Sequence, residues 1–133
     1  MAARSRVRAA AGSPVKVNGA TRWAGSSACD DTQFGDAGHH VEPIRFTGPP
    51  AVTFERLRST LQSMPGARVI TADDGYLHAE FTSRLFRFVD DVECLVDPAG
   101  QVIHVRSASR VGHSDFGVNR RRVEALRAAF GPP

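Results

Sequence analysis

Cysteine is scarce in this chain. Only Cys29 and Cys94 occur in 133 residues, too few for the disulfide framework that small secreted domains use in place of a large core. Both read as free thiols of a reducing compartment, with a single Cys29–Cys94 bridge as the alternative. Long apolar runs are missing too, and no stretch nears the roughly 18 residues of a membrane span. Ser26-Ser27-Ala28-Cys29 looks like a lipoprotein cleavage site, but no apolar segment precedes it, which excludes that processing. There is no Gly-rich phosphate loop and no Gly-x-Ser-x-Gly elbow. No recognised metal spacing occurs, even around His39-His40-x-Glu42, so no metal site is assigned and the cofactor is left unknown. Acids are absent from residues 1–29, which carry Arg4, Arg6, Arg8, Lys16 and Arg22. The formal charge of +3 therefore belongs to that stretch: the remaining 12 bases face all 14 acids, which leaves residues 30–133 at −2. Nucleic-acid binders place their basic patch on the folded unit, so this distribution argues against nucleic acid as the partner.

The hydrophobic fraction of 41% suffices for one domain with a real core. Residues 1–38 read as a disordered or targeting-like tail. The first 20 or so, rich in Ala, Arg, Gly and Ser, read as an ordinary tail on a soluble, cytoplasmic protein; the alternative is an organellar (plastid) transit peptide, whose composition they match. Residues 24–38 read as loop. Residues 39–131 read as a single α+β domain. Val41 to Phe46 is a short strand. Gly48-Pro49-Pro50 opens a helix whose stripe is Phe54, Leu57, Leu61 and Met64, and Pro65-Gly66 stops it. Arg68 to Ala72 and Tyr76 to Thr82 form a hairpin around Asp73-Asp74-Gly75. A fourth strand begins at Phe86 and Phe88 and continues through Val92 to Val96, with a bulge expected where Asp90-Asp91 breaks the alternation. Asp97-Pro98-Ala99-Gly100 turns into Gln101 to Ser107. A last helix runs from about Phe116 to Phe130, with Asp115 as N-cap and Val123, Leu126 and Phe130 buried. The expected fold is an antiparallel sheet of four to five strands with two helices on one face, in the order β-α-β-β-β-β-α. The opposite face must be solvated, hold a ligand or meet a partner.

Three stretches carry a resemblance to a known family: His39 to Ile44, Tyr76 to Glu93, and Arg106 to Asn119. They resemble the motifs of the uncharacterised bacterial and plastid family catalogued as domain of unknown function 1499, and together they span most of residues 39–130. His113 departs from the family pattern, in which tyrosine is usual. The family has no established activity, so the resemblance implies fold and membership and supplies no catalytic residues.

The residues themselves suggest chemistry in two places. The segment 106–122 packs arginines, hydroxyls and two glycines at a strand-to-helix corner. Arg84, Arg87, Arg106, Ser109, Arg110, Ser114, Asn119 and Arg120 are its candidate ligands for an anionic small molecule. Arg120, Arg121 and Arg122 oppose the helix dipole at roughly 0.3–1 kcal/mol each, so something must offset them. The offset is either a bound anion or internal acids such as Asp90 or Asp91. The second place is the sheet face of His78 and Glu80, which share a face by period two, as do His104 and Arg106. His78, Glu80 and Asp91 are the candidates for acid/base catalysis there. A binding module for an anionic small molecule is the favoured reading. The alternatives are an acid/base enzyme on the polar face and a structural domain that docks another protein.

Overall fold

The computed structural model describes residues 14–17, 20–23, 29–31, 41–83, 88–109 and 117–133. Strands β1 (Pro14–Val17) and β2 (Ala20–Trp23) pair with each other in a two-stranded ladder. Next come β3 (Cys29–Asp31), β4 (Ile44–Arg45), helix α1 (Pro50–Ser63), β5 (Ala67–Asp73), β6 (Tyr76–Thr82), β7 (Val89–Asp97), β8 (Val102–Ser109) and helix α2 (Val118–Phe130). The main sheet is antiparallel, in the order β3-β8-β7-β6-β5, with β4 also pairing along β8. From β4 onward the chain follows the expected β-α-β-β-β-β-α order. Three strands lie upstream of residue 39, in the stretch that composition reads as a tail, and β3 joins the main sheet.

Local chemistry accounts for the elements. Pro50 presets the first turn of α1, where its missing N–H costs nothing. The β5–β6 hairpin turns on Asp74 (φ 49°) and Gly75 (φ 79°), the two positive values that a tight two-residue turn demands. Both helices pack on one sheet face. Leu57 and Leu61 of α1, and Val123, Leu126 and Phe130 of α2, meet Leu77, Ala79, Phe81, Val92, Cys94, Val96, Ile103 and Val105 in one cluster. Phe54 and Met64 of the expected α1 stripe are partly buried against it.

Two expectations are corrected. The ladder of β7 runs in unbroken register through Asp90 and Asp91, and the sheet's irregularity lies instead in β5 between Val69 and Thr71. That extra residue lets Ala72 reach the same core face as Ala67 and Val69. Helix α2 starts two residues later than expected, and its N-cap is Gly117, in the left-handed region at φ 78°, with no side-chain cap. Cys94 is a free thiol, fully buried on the helix-facing side, as the free-thiol reading has it. Among the described residues, no helix is long and apolar enough to cross a membrane.

Candidate functional site

The register of β6, β7 and β8 decides which side chains meet. His78 pairs with Glu93 and Glu93 with Arg106; Glu80 pairs with Asp91; Tyr76 pairs with Leu95 and Leu95 with His104. By period two these residues all stand on the face away from the helices. His78, Glu80, His104 and Arg106 therefore share a face, as their spacing suggests, and Asp91 and Glu93 join them.

That face is buried. His78 and Asp91 are each 2% exposed, and Glu93 and Arg106 are each 1% exposed. His78 Nε2 lies 2.8 Å from Asp91 Oδ1. Arg106 Nη1 donates to Glu93 Oε2 at 2.9 Å, and the Tyr76 hydroxyl donates to Glu93 Oε1 at 2.6 Å. Burial foremost, and then the bond to Glu93 and its charge, hold the Tyr76 phenol well above its ordinary range; the Arg106 charge opposes them. Burial, reinforced by Glu93, also pushes up the Cys94 thiol behind this layer. Glu80 is half-buried, and His104 Nε2 lies 3.6 Å from Asp97 Oδ2. Taking an ion pair out of water is so costly that well-packed apolar residues often serve stability as well or better. A buried ionic layer is therefore a candidate for function.

The opposite face of β7 and β8 clasps α2. Asp90 Oδ2 lies 2.7 Å from Arg122 Nη1, and the Arg122 guanidinium sits over the Phe81 ring at 5.1 Å. Arg122 also donates to Asn119 Oδ1 at 3.2 Å. Ser107 Oγ donates to the same oxygen at 2.7 Å, while Asn119 Nδ2 donates to Ser109 Oγ at 2.9 Å. Asn119 and Ser107 are fully buried. The adjacent acids thus serve opposite faces, Asp90 the helix and Asp91 the ionic layer.

The candidate anion ligands divide accordingly. Arg106 belongs to the ionic layer, Ser109 and Asn119 belong to the clasp, and Arg120 is exposed on α2. Arg84, Arg87, Arg110 and Ser114 lie outside the described residues, as do His39, His40 and Asp115. Sequence reasoning did not find Glu93 as the shared acceptor of Tyr76 and Arg106, although period-two register contains that signal. It also did not find an open groove of about 390 Å³. There the end of α1 (Met64, Pro65, Gly66), the end of β6 (Phe81, Thr82, Ser83) and the start of α2 (Val118, Arg121, Arg122, Ala125) meet. Its lining among the described residues holds two arginines and no carboxylate. No group of three or more His, Cys, Asp or Glu side chains converges as metal ligands among the described residues.

No curated protein matches this chain. The family model described as protein of unknown function (DUF1499) matches residues 6–130. With nearly its whole length so matched, the chain belongs to the DUF1499 family.

Proposed function

We propose that the protein is a binding module for an anionic small molecule, held in the groove between the end of β6 and the start of α2. The observation that carries this is the first turn of α2. It begins Val118-Asn119-Arg120-Arg121-Arg122, has no acidic residue and has no side-chain cap. Cations there oppose the helix dipole. Arg122 is matched by Asp90. Arg121, exposed and lining the groove, has no acidic partner among the described residues. An anion on Arg121 supplies the missing charge. Arg84 directly follows the groove residue Ser83, with Arg87 three positions on, and Arg110 and Ser114 lie in the segment that leads to α2; these are the further candidate ligands of this reading.

The test is thermal denaturation with a panel of anions, phosphate, sulfate, acetate and longer carboxylates up to octanoate, at ionic strength matched by sodium chloride. At ten times Kd the expected gain is about 1.4 kcal/mol, several degrees for a domain of this size. Arg121→Ala should abolish it, and Arg110→Ala should weaken it. Stabilisation no greater than that by chloride, or unchanged in both variants, refutes the reading.

A second reading is favoured by the 2.8 Å His78–Asp91 contact beside Glu93, Arg106 and Tyr76. A histidine oriented by a carboxylate is a general acid/base arrangement. On this reading the polar face works on a substrate, with Glu80 at its margin.

A further inference from the structure

We infer that the groove selects an organic monocarboxylate with an apolar body, rather than a compact inorganic anion; this rests on the anion-binding reading of the same groove. Charge sets the first part. Among the described residues the lining holds two arginines; Arg122 is engaged by Asp90 at 2.7 Å and stacked on Phe81, and Arg121 is the one with no acidic partner among them. A single guanidinium matches one carboxylate, which it can hold through two parallel hydrogen bonds.

The remaining walls set the second part. Beside the arginines the groove is lined by Met64, Pro65, Phe81, Val118 and Ala125, from the end of α1, the end of β6 and the start of α2. A fully solvated inorganic anion has no use for such a surface, whereas an alkyl or aryl body removes it from water. The thioether of Met64 suits a body of variable shape. At about 390 Å³ the space is at the lower end of the roughly 300–1,000 Å³ of small-molecule sites. The ligand class is therefore a short acyl or aryl carboxylate, its head on Arg121 and its body along the start of α2.

The experiment is an NMR titration of the full chain at constant ionic strength with acetate, butyrate, hexanoate and octanoate, beside inorganic phosphate and 1-octanol. A half-covered methylene should raise affinity about twofold, so octanoate should exceed butyrate by about an order of magnitude. Arg121→Ala should weaken octanoate about tenfold, as expected for loss of a hydrogen bond to a charged group. Ala125→Glu, at an exposed helix position, sets a carboxylate against the ligand without disturbing the core and should also weaken it. 1-Octanol should bind more weakly than octanoate and be indifferent to Arg121→Ala. Phosphate and acetate binding as well as octanoate, still dependent on Arg121, overturns the selectivity and leaves the anion site standing. Binding of all anions that ignores Arg121→Ala and Ala125→Glu, or no binding at all, overturns both.

Discussion

Asn119 is the residue on which the clasp turns, and its removal separates a structural role from a ligand-binding one. Its amide is fully buried, takes a bond from the equally buried Ser107 hydroxyl at 2.7 Å and gives one to Ser109 at 2.9 Å. In Asn119→Ala the Ser107 hydroxyl is orphaned in the interior, at about 1–3 kcal/mol, and the bond to Ser109 adds about 0.5–1.5 kcal/mol. Arg122 keeps Asp90, so its charge is not stranded. The expected loss is therefore about 2–4 kcal/mol, seen as a urea midpoint lowered by about 1–2 M at unchanged slope. Ser107→Ala should cost only about 1 kcal/mol, because the Asn119 oxygen still receives Arg122 at 3.2 Å. The double variant orphans neither partner of that bond, so its cost should fall short of the sum by about 1 kcal/mol or more. A loss below about 1 kcal/mol with an additive double variant refutes the clasp. Loss of anion-dependent stabilisation with stability intact would instead make Asn119 a ligand residue.

Gly66 has φ +77°, and a Cβ there would lie 2.7 Å from the Thr82 carbonyl oxygen. Gly66→Ala should cost at least about 2 kcal/mol in chemical denaturation. Gly48→Ala, at φ +88° with nothing within 4 Å, should cost only the left-handed strain of about 1–2 kcal/mol; equal losses would show that the close approach to Thr82 carries no weight. Tyr76 is the only tyrosine, so ultraviolet titration reads it alone. Because burial and Glu93 raise its folded value above the unfolded one, about 10, stability is intact below that pH and declines above it. Phenolate absorbance should therefore rise only with unfolding, and a titration near pH 10 in the folded protein would contradict the buried bond to Glu93. In a Cys29→Ser background, Cys94 should resist thiol reagents at mildly alkaline pH and react at the rate of unfolding, since burial and Glu93 both disfavour its thiolate. Rapid labelling under native conditions would mean that β7 opens locally.

What was legible in the chain was whatever the backbone period carries by itself. The two helices, the Asp73-Asp74-Gly75 hairpin and the pairing of faces across β6 and β8 follow from alternation and turn chemistry, which are local. Asp90-Asp91 shows where that ends. In sequence a charged pair breaks the apolar alternation, and a bulge is the natural inference. In the fold no break exists, because each acid has a partner on its own side: Arg122, 32 positions along the chain, for Asp90, and His78, 13 positions back, for Asp91. The alternation of β7 is one of partners rather than of polarity. The groove was hidden for a related reason, since its walls come from three elements distant in sequence, and Arg121 looks no different from Arg120 or Arg122 until the acid that each one meets is known. The arginine run therefore resolves by pairing. Arg122 is spent on Asp90 in holding the helix to the sheet, and Arg121 is left facing the groove. That division makes the corner both a clasp and a candidate site, and substitutions at Asn119 and Arg121 should separate the two roles.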